Sequence, residues 1–263
     1  MLENVAFTYD GVSSEDMGVM LINSGSGLFK EPLLANRSIV ENQVAGRSIP
    51  YFKTIEEKPL AFPLTIFIRD WQKRDNLREI VRWLNQRIPK PFWFGDSPNR
   101  IMYGLIEGSP ELLHNGCKEG YITVNFRTMS PYMYSQPLKF KYQVRGFYET
   151  YINNDGDETF YPFLTIDNLS GSEINIKTFM EDKPVNDFKL TGLLNNETIE
   201  VDCQNQNIKS EFESNERYLF DNHNDDWIEF QLGYPYNGET STKIQFFGNF
   251  DIILEYQMKY RTM

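Results

Sequence analysis

Two histidines, His114 and His223, and two cysteines, Cys117 and Cys203, are all that 263 residues offer by way of imidazole and thiol. No CxxC or HExxH spacing joins them. A zinc site, a redox pair or a Ser-His or Cys-His nucleophile would need long-range convergence, and the spacing favours two ordinary thiols. Carboxylates are more plentiful. Asp221, Asp225, Asp226 and Glu229 could contain a glycosidase pair, since that chemistry needs only two carboxyls about 5 to 10 Å apart. A solvated acidic surface is the favoured reading. Asn153, Asp155 and Gly156 would suit the third, fifth and sixth positions of a calcium loop, but Tyr151 stands at the first and Pro162 where the bidentate Glu belongs. That segment reads as a hairpin turn. Trp227, Tyr234 and Tyr236 could stack on a sugar face. Trp227 begins an apolar run and reads as core, whereas Tyr234 and Tyr236 flank Pro235 in a loop and are the candidates for contact with a glycan or a partner. No Gly-rich phosphate loop, nucleophile elbow or HExxH motif occurs in the sequence, and no cofactor and no metal are expected.

Composition narrows the classes further. Hydrophobic residues at 40%, aromatics at 15% and charged residues at 24% describe a folded chain rather than a disordered one. The length suits two domains. No apolar stretch approaches the roughly 20 residues of a membrane helix, and the first residues lack an export signal, so no membrane insertion and synthesis ending in the cytoplasm are expected. Charge divides unevenly: residues 1–140 hold 15 acids and 16 bases, residues 141–263 hold 22 acids and 10 bases. The switch falls beside Pro131 and Pro137, giving domains 1–136 and 137–263. A broad basic patch for nucleic acid is excluded from the acidic half.

The elements that would carry these residues are mostly strands. Asp10-Gly11 and the Gly/Ser cluster Gly25–Gly27 are turn chemistry between short apolar runs. Leu60, Phe62, Leu64, Ile66 and Ile68 alternate with Ala61, Pro63, Thr65, Phe67 and Arg69, a long strand that Pro63 marks as edge or bulged. One amphipathic helix follows, Asp75 to about Arg87, with Asp75 as N-cap, Leu77, Ile80, Val81 and Leu84 inward, and Arg78, Arg82 and Arg87 on a solvated or interface face. In the second half seven short strand-like segments, including YPFLTI, SEINIKTF, WIEFQL and TKIQFF, point to an antiparallel β-sandwich. The segment Ser24–Phe52 is polar and weakly patterned. It is either an arm reaching a neighbouring subunit, with Phe29, Leu33 and Leu34 as apolar contacts, or a self-packed hairpin.

The succession of elements resembles a known family. FTYDGVSSEDMGVML (Phe7–Leu21), KPLAFPLTI (Lys58–Ile66), RWLN (Arg82–Asn85), KPFWFGD (Lys90–Asp96) and the run from Tyr103 to Tyr132 carry the likeness in the first half. Ile152–Ile166, ETIEVDC (Glu197–Cys203), WIEFQLG (Trp227–Gly233) and the terminal strand carry it in the second. Together they resemble the distal tail proteins of long-tailed phages that infect Gram-positive bacteria. The resemblance implies a mainly β protein of two domains: an N-terminal β-sandwich with one helix and a hairpin, and a galectin-like C-terminal β-sandwich. It also implies a homohexameric ring at the virion's distal tail tip, assembled in the host cytoplasm, that joins the tail tube protein to the tail-associated hub protein. In some of these phages the outer domain holds receptor-binding proteins, and DNA passes through the central channel. A near-neutral first half can self-associate, while a second half at −12 repels its copies. Two rivals stand beside this reading. A carbohydrate-binding module would bind wall glycan through Tyr234 and Tyr236, and a wall hydrolase would use a carboxylate pair.

Overall fold

In the computed structural model, which describes residues 6–22, 34–114, 116, 119–212, 214, 218–232 and 241–261, the chain falls into two units. Met1–Tyr134 with Tyr260–Met263 form the first, and Ser135–Lys259 the second. Both are built mainly from strands, and among the described residues there is one α-helix.

The first unit is organised by one antiparallel sheet. Its order is Val12–Ser13, Phe7–Tyr9, Lys90–Phe94, Met102–Glu107, Glu119–Thr128, Ala61–Arg69 and Val19–Leu21, with Leu112–His114 also pairing to Glu119–Thr128. Asp10 and Gly11, with φ of 52° and 74°, make the two-residue turn that sets Tyr9 opposite Val12. Positive φ at both central residues is what this tight hairpin requires, and Asp-Gly supplies it cheaply. The alternation of Ala61–Arg69 buries Phe62, Leu64, Ile66 and Ile68. This strand has neighbours on both sides only near Ile66–Ile68; at Pro63 only Asn125 faces it, so the missing N–H leaves no ladder bond unmade.

Aromatic rings fill the core. Phe7 stacks on Trp83 at 5.5 Å, Phe92 lies 4.6 Å from Phe126, and the Trp83 indole donates to the Tyr9 carbonyl at 2.8 Å. Trp83 comes from the helix, Arg74–Leu84, which buries Ile80, Trp83 and Leu84. The helix departs from the sequence reading in three ways. It begins before Asp75, Lys73 is its N-cap with no side-chain bond, and it stops at Leu84, where the Asn85 N–H bonds the Val81 carbonyl. Val81 points outward because Trp83, larger, claims the inward face.

The second unit is a six-stranded antiparallel sheet: Leu138–Asn153, Ser241–Tyr256, Phe163–Met180, Glu197–Asp202 and Asn207–Ser210 in that order, with Lys183–Thr191 on Phe163–Met180. Segments read as separate strands are joined here into strands of 16 to 18 residues. They are creased. Tyr142 and Tyr148 would be about 20 Å apart on a straight strand, yet their ring centroids are 5.5 Å apart, and Tyr142 is 5.7 Å from Phe246, the partner of Tyr148. The fold line passes Gly146 and its partner Gly248, at φ 89° and 139°, and the register breaks between Asn168 and Asn175, around Gly171. One sheet thereby doubles back on itself over Ile166, Ile176, Phe188, Ile199, Ile252 and other fully buried side chains.

Two local readings are corrected. Asn153–Glu158 is not a hairpin turn, because the strands on either side of it both pair with Ser241–Tyr256 and not with each other. Asn154 holds the loop through bonds to Gly156, Glu158 and Phe230. WIEFQL is not a strand: only Phe230 bridges, to Phe160, and its ring stacks there at 5.0 Å.

Candidate assembly surface

The strands Arg37–Asn42 and Tyr51–Glu57 form a two-stranded sheet that joins no other among the described residues. Residues Ser38, Ile39, Val40 and Thr54, Ile55 suit extended backbone, and the intervening QVAGRSIP turns at Gly46, φ 84°. Gln43 Nε2 donates to the Arg47 carbonyl at 2.7 Å, the Arg47 N–H to Val44 at 3.1 Å, and the Arg47 guanidinium lies 4.4 Å over the Tyr51 ring. The base is fixed by Glu57. Its carboxylate receives Arg37 Nε at 3.1 Å, an Arg261 guanidinium nitrogen at 2.6 Å and the Tyr132 hydroxyl at 3.3 Å.

Beyond that base the ribbon's large apolar side chains are exposed. Ile39 pairs with Ile55, and after a bulge Glu41 pairs with Phe52, which places these four on one face. Ile39 is 67% exposed, Phe52 64%, and Ile49 at the tip 73%. A free-standing hairpin is marginal in water, and a contiguous exposed apolar face marks an interaction site.

Of the interface candidates read from sequence, Leu34 is described and exposed, while Phe29 and Leu33 lie outside the described residues. Tyr234 and Tyr236 lie outside them as well. Ile39, Phe52 and Ile55 were missed. Their signal was the alternation of β-branched and polar residues on either side of Gly46, obscured by the bulge at Val40/Glu41.

Of the acids weighed as a carboxylate pair, Asp226 is engaged by backbone and amide groups. Asp226 accepts the Asp187 N–H at 2.6 Å through one oxygen and Asn186 Nδ2 at 3.2 Å through the other. Asn224 accepts from the Lys189 N–H at 3.0 Å and donates to the Asp187 carbonyl at 2.6 Å. These side chains take the place of a neighbouring strand along Lys183–Thr191. Trp227 is half-buried, 4.4 Å from the His223 ring and 6.0 Å from Phe220. Burial lowers the His223 pKa, with Asp225 and Asp226 opposing. Among the described residues no three His, Cys, Asp or Glu side chains cluster as metal ligands. Cys203 is buried, which pushes its thiol up to about 12; Cys117 lies outside the described residues.

With this geometry in place, known proteins supply the context. Residues 2–130 match the family described as phage tail protein N-terminal domain. Over 97% of its length the chain superposes on 98% of the SPP1 Dit protein (gp 19.1), at a TM-score of 0.68 and 16% identity. The chain has a Dit-like fold, and its residues 2–130 are similar to phage tail protein N-terminal domains. The Dit-like architecture also extends, at a TM-score of 0.54 and 7% identity over 98% of this chain and 99% of the other, to a chain of the phage P2 baseplate in its activated conformation with calcium. In sequence, 261 residues are 26% identical to the SPbeta prophage-derived uncharacterized protein YomH of Bacillus subtilis strain 168, covering 98% of both chains.

Proposed function

We propose that the chain is a structural, non-enzymatic component of a phage tail tip, six copies of which close into a ring between the tail tube protein and the tail-associated hub protein. The likeness to SPP1 Dit along nearly the whole chain carries this reading. That protein is described as a paradigm of the hub adsorption apparatus in phages infecting Gram-positive bacteria. The first unit is the ring-former in this reading: it is near neutral and bears the exposed hairpin. The second unit, a galectin-like module, holds 22 acids against 10 bases and serves as the outward lobe, a mount for receptor-binding proteins where these are present. DNA crosses the ring only in passage.

Light scattering over a range of concentrations, joined to negative-stain images, tests the proposal. The expected result is a hollow six-membered annulus. A chain that stays monomeric even with tube and hub proteins added would end it.

A further inference from the structure

A ring of more than two copies closes only through a heterologous contact, in which two different surfaces of the same chain meet. The ring proposed above therefore needs a surface to receive the hairpin. On the hairpin, Ile39, Phe52 and Ile55 share an exposed face with Glu41, whereas Glu56, paired with Ser38, stands on the opposite face. Glu41 has no ion pair among the described residues. The receiving surface should offer exposed apolar groups together with unmatched positive charge.

The helix Arg74–Leu84 has both. Arg74, Arg78 and Arg82 recur at four-residue intervals on its exposed side, and Val81 lies among them, 51% exposed. Ile88 and Arg87, also exposed, follow just beyond the helix end. None of these four arginines has an ion pair among the described residues. Like charges at i,i+4 repel by a few tenths of a kcal/mol each, so the isolated chain tolerates a stripe that a carboxylate-bearing partner would relieve. Of the other bases in the unit, Arg37 pairs with Glu57, Lys90 with Asp10 and Lys73 with Asp70, and Arg100 lies against the Tyr260 ring, whereas Lys53, Lys58 and Arg69 have no ion pair among the described residues. Arginine suits the task chemically. Its flat guanidinium covers an aromatic face such as Phe52 and binds a carboxylate through two parallel bonds.

We propose that the hairpin of one copy lies across the helix of the next, with Phe52 and its apolar neighbours on Val81 and with Glu41 meeting the arginine stripe. The pairing rests on the ring reading and names the two surfaces that close it.

A charge-swap cycle in the full chain tests it, read as assembly mass against concentration. R78E/R82E should raise the concentration for half-assembly about tenfold or more and E41R about threefold or more, and the variant carrying all three changes should assemble at about threefold lower concentration than R78E/R82E. A ring that persists unchanged in R78E/R82E overturns the pairing and leaves the ring standing. So does a triple variant that assembles no better than R78E/R82E while its circular dichroism and melting match the parent. If R78E/R82E instead releases co-purifying nucleic acid with no change in ring mass, the stripe binds phosphate and the pairing is wrong. A parent chain that never assembles removes both readings.

Discussion

Glu57 and Arg261 meet at 2.6 Å although 204 positions separate them in sequence. The carboxylate that anchors the hairpin is thus held partly by a residue that reaches the first unit only after the whole second unit has been traversed. Glu57 is the shared acceptor for Arg37, Arg261 and Tyr132. Replacing it with Ala strands two guanidinium groups that remain partly solvated, so the expected cost is about 1–2 kcal/mol of first-unit stability. Calorimetry should show a lowered first-unit transition. Limited proteolysis should cut within residues 43–50 sooner than in the parent.

Gly104 lies where a Cβ would stand 2.4 Å from the Arg127 carbonyl oxygen and 2.6 Å from the Phe126 ring. Backbone cannot yield as a flexible side chain can. Gly104→Ala should cost about 2–3 kcal/mol through overpacking, read as a lower urea midpoint with an unchanged slope. A variant as stable as the parent would show that the strand shifts freely there.

At the crease the two facing glycines should differ. A Cβ at Gly146 meets nothing within 4 Å, so Gly146→Ala bears only the penalty of positive φ, about 1 kcal/mol. A Cβ at Gly248 would also approach the Phe250 ring at 2.9 Å. Gly248→Ala should therefore be the more destabilising by thermal melting, and the reverse order would contradict the fold line.

His223 accepts the Asp225 N–H at Nδ1, at 3.2 Å, which leaves Nε2 to donate to the Asp226 carbonyl at 3.3 Å. This is the neutral ring, and burial lowers its pKa below the ordinary value. A base with a depressed folded pKa binds its proton more readily when unfolded. Its contribution is complete above about pH 6.5, the ordinary value, and declines as pH falls below that. The melting temperature of the second unit should fall between pH 7.5 and 5, and His223→Gln should flatten that slope.

Cys203 should resist iodoacetamide in the native protein at pH 8, since burial raises its thiol to about 12 and the thiolate is the reactive form. Peptide mass spectrometry should find labelling at least about 100-fold faster in urea. Rapid native labelling would mean that the strand edge near Pro162, whose carbonyl the Cys203 N–H bonds at 3.2 Å, opens readily.

Much of this was legible in the chain. The alternation from Leu60 fixed both the strand and its buried face, Asp10-Gly11 fixed a turn, and the mainly β class with one helix followed from the patterns. What escaped had physical causes. Gly171 and Gly248 look like strand breaks, because glycine ordinarily interrupts a ladder, yet here they bend strands that continue through them. WIEFQL alternates like a strand but spends Trp227 on His223 and Phe220. The hairpin's apolar face was hidden by a one-residue bulge that shifts the parity of Phe52 relative to Ile55. The Glu57 anchor depends on Arg261, and no local pattern reports a contact of that range.

The path of the chain carries one more consequence. It leaves the first unit after Tyr134 and re-enters at Tyr260, and within that unit Tyr134 pairs with Ile101 while Tyr260 lies under Arg100, 3.5 Å from the guanidinium. The two seams are therefore neighbours, and everything between them is topologically an insert. A lineage could lengthen, shorten or exchange that cassette, provided the replacement's own ends lie close together, without touching the aromatic core around Trp83. The insert and the core that receives it are thus separable at two peptide bonds.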